Sequence, residues 1–158
     1  MLPSFIFCSC KEDLCNNVDT GSIGYTEITF INKETGKPLI QDEIGKYGKD
    51  DLNLSNADGT PRYYFLRKMK DENYGGQTYY VFYSSTLGEN QSEIPINELI
   101  NERVFLDFKN DRDTIDYSYK IKKIACGGSI FDEISVRYNG ILMGEFRDDF
   151  GPSITIVK

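Results

Sequence analysis

The sequence predicts an all-β fold, an antiparallel two-layer sandwich of about eight or nine short strands. Three observations point there. The chain carries 11 Tyr and 10 Phe among many β-branched residues, a composition that suits pleated, half-buried surfaces. Its C-terminal half alternates apolar and polar residues with period two. Turn signals recur about every 8–15 residues with almost no helical period between them. The inward residues are bulky and leave no lumen, which favours a sandwich over a barrel.

The elements follow in order. Residues 25–32 read as a strand with Ile28 and Phe30 on one face. Residues 33–37 form a polar turn, with Gly36 where a positive φ is expected. Residues 38–44 continue extended, 45–51 are loop, and Leu52 and Leu54 mark a short strand. Residues 56–61, Asn-Ala-Asp-Gly-Thr-Pro, are a strong turn. Residues 62–68 and 78–84 are aromatic strands, apolar on both faces, as strands covered on both sides are. Residues 95–101 suggest a short helical turn.

Beyond it, Val104, Leu106 and Phe108 share a face. So do Ile115, Tyr117, Tyr119 and Ile121, and then Ile134, Val136 and Tyr138. Asn139-Gly140 between two apolar runs predicts a type I′ hairpin. A two-residue turn there pairs Tyr138 with Ile141, Val136 with Met143 and Ile134 with Glu145. The first two pairs suit an inward face; the third would bury Glu145, which is costly without a partner. A bulge at Gly144 is therefore expected, turning Phe146 inward and Glu145 out. Residues 153–157 are the last strand.

The chain has 158 residues and a formal net charge of −7. That length suits one domain. The acidic balance argues against a nucleic-acid partner, which needs a basic face to neutralise phosphates. No stretch approaches the ~20 apolar residues of a membrane-spanning helix, so membrane contact is expected through lipid alone. There is no His, which removes the commonest general base and metal ligand and excludes His-dependent triads.

A short apolar run, residues 2–7, is followed by Cys8-Ser9-Cys10-Lys11-Glu12-Asp13. This order resembles a bacterial lipoprotein signal with Cys10 as the lipidated residue, since the small Ser9 precedes it whereas Phe7 precedes Cys8. The run is short and no basic residue opens it, so either the start lies upstream of Met1 or the run is an ordinary apolar segment. Lysine and acids directly after the cysteine are similar to the pattern of Bacteroidetes lipoproteins. The resemblance implies an outer-membrane lipoprotein, surface-exposed or else periplasm-facing. The division expected is a signal remnant over 1–9, a lipid-anchored tether over 10–22 and the sandwich over 23–158. With Cys8 removed and Cys10 lipidated, Cys15 and Cys126 remain; export permits a disulfide between them, and two unpaired thiols are the other reading.

Residues 28–32, then Glu34-Thr35-Gly36-Lys37-Pro38-Leu39 and later Asn56-Ala57-Asp58-Gly59, resemble the opening of transthyretin-like or carboxypeptidase-regulatory-like sandwiches. Those often show a strand, a TGKPL turn and a downstream DADG turn. The likeness spans about 35 residues, and the order of the rest is similar to uncharacterised Bacteroidetes lipoproteins of this size. The resemblance implies a transthyretin-like or Ig-like sandwich behind a flexible N-terminal tether, and an address, not an activity.

Candidate chemistry is sparse. Asp19-Thr20-Gly21 matches the catalytic turn of aspartic proteases, where two such loops share a proton, and 141–144 resembles the apolar-apolar-Gly element of the retroviral type. A catalytic Asp must end a buried strand, whereas polar Asn16-Asn17 precede this one, as in a tether. Asp51, Asn53, Ser55 and Asp58 place oxygens at short spacing, as Ca²⁺ sites do, but Asn56 and Arg62 occupy the Gly and bidentate Glu positions of an EF-hand. Asp111, Asp113 and Asp116 fit no better. Tyr63, Tyr64, Tyr79, Tyr80 and Tyr83 either form a ligand platform or belong to a Tyr-rich core. No cofactor is implied. The functional expectation is a non-catalytic, lipid-anchored sandwich serving binding or assembly, with a cell-surface protein or glycan as ligand. The rivals are a carbohydrate-binding module using exposed tyrosines and an aspartic-protease-like hydrolase.

Overall fold

In the computed structural model the chain is an all-β sandwich of two sheets. The structure describes residues 24–41, 47–70, 76, 78–85, 95–123, 129–149 and 151–158. The expectations for Cys10, Cys15, Asp19 and Cys126 lie outside these residues. Among the described residues there are nine strands: β1 (Tyr25–Ile31), β2 (Leu52–Asn56), β3 (Tyr64–Lys70), β4 (Thr78–Ser85), β5 (Ile100–Phe108), β6 (Asp111–Lys123), β7 (Ser129–Tyr138), β8 (Ile141–Asp149) and β9 (Ser153–Val157). One sheet has the order β3-β4-β1-β9, the other β2-β5-β6-β7-β8. Among the described residues, these strands pair antiparallel except β1 with β9. Among the described residues no helix is long and apolar enough to cross a membrane.

The period-two strands behave as their alternation requires. Val104, Leu106, Phe108, Ile115, Tyr117, Tyr119, Ile121, Ile134 and Val136 are all buried on the inner face of the five-stranded sheet. Ile28, Phe30, Phe82, Ile154 and Ile156 meet them from the four-stranded sheet. Phe30 sits among rings, edge-on to Phe108 at 5.1 Å and to Phe82 at 6.3 Å between centroids. Full burial of a side chain of this size stabilises by about 1.5–3 kcal/mol, with a further gain from the edge-to-face geometry.

The turns follow the expected chemistry. Gly36 and Gly59 have φ of 66° and 86°, and Asn139 and Gly140 both have positive φ, as a type I′ turn needs. The hairpin it joins does bulge, one residue earlier than expected. Tyr138 faces Ile141 and Arg137 faces Leu142, but Val136 faces Gly144 rather than Met143. Met143 is the extra residue. From there Ile134 faces Phe146, which packs against the core, and Glu145 faces Ser135 and is exposed. Ile141 is 69% exposed, because it stands beside the turn at the sheet's end, so the first pair is not inward as a unit.

Two further corrections concern loops. Residues 95–101 form no helical turn: Asn97 has φ 62° and β5 begins at Ile100. Its amide instead donates to the Ile121 carbonyl at 2.8 Å. Within 38–44, the described residues make only isolated bridges at Pro38, Ile40 and Gln41.

Candidate functional site

Strand alternation divides the five tyrosines that the sequence brings forward. Tyr64 and Tyr80 point inward and pack against the core. The Tyr64 hydroxyl donates to the Leu52 carbonyl at 2.7 Å and so ties the two sheets together; burial, then the nearby Asp50, pushes its phenol pKa up. Tyr79, Val81 and Tyr83 take the opposite parity. Tyr79 is 9% exposed but lies outside the main core. Only Tyr63 and Tyr83 join one cluster on the outer face of the four-stranded sheet.

Tyr25 and Phe65 complete that cluster. The register aligns Phe65, Tyr83, Glu27 and Ser153 in one row across β3, β4, β1 and β9. Phe65 and Tyr83 stack face to face, 4.6 Å apart and 4° from parallel. Tyr25 meets Phe65 edge-on at 5.2 Å. Tyr63 lies 6.4 Å from Tyr25 and 6.5 Å from Phe65, and is 59% exposed. The Tyr83 hydroxyl donates to Glu27 Oε2 at 2.5 Å, and Ser153 Oγ donates to Glu27 Oε1 at 3.1 Å. Partial burial, then Glu27, raises the Tyr83 phenol pKa, with Arg67 opposing. The result is an aromatic patch bordered by a carboxylate, a guanidinium and a hydroxyl. Its rings mostly spend their faces on each other, so edges and the Tyr63 ring are what a partner meets.

Tyr25 and Phe65 escape a sequence reading that takes each strand alone. Their parity, opposite to that of Ile28 and Leu66, was the available signal; which strands lie side by side was not.

Two buried polar networks hold the sandwich. Arg62, 7% exposed, donates to the Ser85 carbonyl (2.7 Å), Asn56 Oδ1 (3.0 Å) and Glu102 Oε2 (2.7 Å). Tyr119 donates to Glu102 Oε1 at 3.0 Å; burial, then Glu102, raises its phenol pKa. Tyr117 donates to Ser84 Oγ at 3.0 Å, and burial raises its phenol pKa too. Elsewhere, buried Asp113 accepts from Tyr138, Asn139 and Lys158. Burial pushes the Asp113 carboxyl up, but these three donors outweigh it and hold the pKa low. Burial lowers Lys158, and its bonds to Asp111 and Asp113 more than reverse that. Every oxygen of Glu102 and Asp113 has a protein partner, so both carboxylates read as structural clamps.

The Ca²⁺ candidate set does not converge. Asp51 accepts from the Gly48 amide and pairs with Lys109 at 3.0 Å, while Asp58 accepts from Thr60 beyond the far end of β2. Among the described residues no three His, Cys, Asp or Glu side chains are grouped to hold a metal ion. The chain matches no protein-family model, no curated protein and no solved structure.

Proposed function

We propose that this chain is a non-catalytic binding or assembly domain, carried on a lipid at Cys10 and displayed at the outer membrane, as the Cys10-Lys11-Glu12-Asp13 order of Bacteroidetes-type lipoproteins suggests. The transthyretin-like opening, 28–39 and 56–59, belongs to the same reading. The observation that carries the binding role is the outward cluster of Tyr25, Tyr63, Phe65 and Tyr83. Clustered aromatics with a polar border are what a sheet face offers a partner rather than bulk water. Rings that stack on one another suit a protein surface better than a flat sugar, which needs an open ring face.

Two measurements test the two halves. Mass spectrometry of protein from its native membrane should find Cys10 acylated at the N-terminus; an intact Met1 terminus in that material removes the lipid anchor. A photo-crosslinking residue at position 63, in cells, should yield one discrete envelope-protein adduct, and the same residue at exposed Asn53 should not. Identical adduct patterns at both positions remove the patch.

A further inference from the structure

The opposite outer face, on the five-stranded sheet, carries a trough. Its floor is one row of the register: Asn101 on β5, Ser118 on β6, Ser135 on β7 and Glu145 on β8. Small hydroxyl residues hold the two central positions, and the rows on either side are long. One wall is Arg103, Asp116 and Arg137; the other is Lys120, Glu133 and Arg147. Same-face rows lie two residues apart along a strand, so the walls stand about 13 Å apart at the backbone. Two adjoining cavities of about 470 and 390 Å³ lie along it and share Ser118 and Ser135.

The walls alternate donor and acceptor. Arg103 forks onto Asp116 through two bonds, Nε at 2.5 Å and Nη2 at 3.1 Å, and Lys120 pairs with Glu133. These pairs hold both carboxylates in place. Arg137 reaches only the Gly140 carbonyl, at 3.4 Å, and neither it nor Arg147 forms an ion pair among the described residues. Among the described residues of these three rows, four cations thus stand beside three carboxylates.

We propose that this trough binds an extended, hydroxyl-rich glycan chain. A hydroxyl both donates and accepts, so it is satisfied between a guanidinium and a carboxylate, which is what each wall presents in alternation. At the centre of the floor β6 and β7 are each paired on both sides, so over Ser118 and Ser135 a ligand meets side chains and cannot add as a strand. A peptide would want buried apolar anchors; of the apolar lining residues, Ile134, Phe146 and Tyr117 belong to the core side, which leaves Leu99, exposed at one end. The inference stands apart from the lipid anchor and from the aromatic face.

The test is affinity electrophoresis of the full chain in native gels holding a neutral polysaccharide (a soluble glucan, mannan or xylan) or an acidic one (polygalacturonate or alginate). The wild type should be retarded in at least one gel. Arg137→Ala, an exposed change that leaves the core alone, should weaken retardation about tenfold, the loss of one charge-assisted contact. Ser135→Tyr should abolish it by filling the floor, and Tyr63→Ser should leave it intact. Retardation in a neutral gel means the Arg137 and Arg147 guanidiniums read hydroxyls; retardation in acidic gels alone means they read carboxylates. Either supports the trough. No retardation in any gel, or retardation unchanged by both Arg137→Ala and Ser135→Tyr, overturns it.

Discussion

The ring of Phe146 lies over Gly144, two residues earlier on the same strand, so that a Cβ on Gly144 would stand 2.7 Å from two of the ring's carbons. The bulge at Met143 and the missing side chain at Gly144 act together: one brings Phe146 to the core side, the other leaves room for its ring. Gly144→Ala should therefore destabilise the domain by about 1–3 kcal/mol, as overpacking does. In a Phe146→Ala background the same change should cost far less. Equal costs in both backgrounds, from denaturant titrations, would mean that the contact does not matter.

Neighbours on β6 should respond very differently. Ile121 is 2% exposed and inside the core, so Ile121→Ala should cost about 2–5 kcal/mol. Lys122 points outward to Asp132 and Asp148, and Lys122→Ala should stay within about 1 kcal/mol. Similar losses for the two would show that the strand phase is misassigned.

The Arg62–Glu102 clamp should be intolerant of halves. The Arg62 side chain is 5% exposed and Glu102 26%. Glu102→Ala removes the carboxylate that accepts from the buried Arg62 Nη2 and from Tyr119, and should cost about 3–5 kcal/mol. Asp107→Ala removes the partner of Arg112, a side chain 62% exposed, and should cost no more than about 1 kcal/mol. Thermal melts of both variants decide the point.

Asp113 should make the domain acid-sensitive. Its folded pKa lies below the ordinary 3.8, so its contribution is fully present above 3.8 and fades as pH falls through the folded value. Asp113→Asn should be less stable than wild type at neutral pH, and the gap should close as the pH drops below 3.8. Lys158 has the opposite sign: its folded pKa lies above 10.5, so its contribution holds below 10.5 and fades as pH rises through the folded value. A gap between wild type and Asp113→Asn that is constant from neutral to strongly acid pH would rule out the linkage.

What could be read in advance follows from burial. β5, β6 and β7 each bury one face, so alternation along Val104–Leu106–Phe108 or Ile115–Tyr117–Tyr119–Ile121 declares which way every side chain points. Residues 63–66 and 79–83 are apolar on both faces, and there alternation is mute: Tyr63 and Tyr64 look alike until the partner strands are known. Asp113 hides for the opposite reason. It is polar at a core-facing position, and only Tyr138, Asn139 and Lys158, distant along the chain, make that tolerable. The aromatic patch and the trough are both rows across strands, assembled by register, and no window along the chain contains either.

The parallel pairing of β1 with β9 has a mechanical consequence. Glu27 through Ile31 match Ser153 through Val157, one to one. Because the strands run the same way, pulling β1 by its leading end and β9 by its trailing end slides one along the other. The ladder bonds lie across that direction and are loaded together, in shear, instead of opening singly like a zipper. A domain hauled from its two ends would yield only when the whole β1–β9 seam gave way at once.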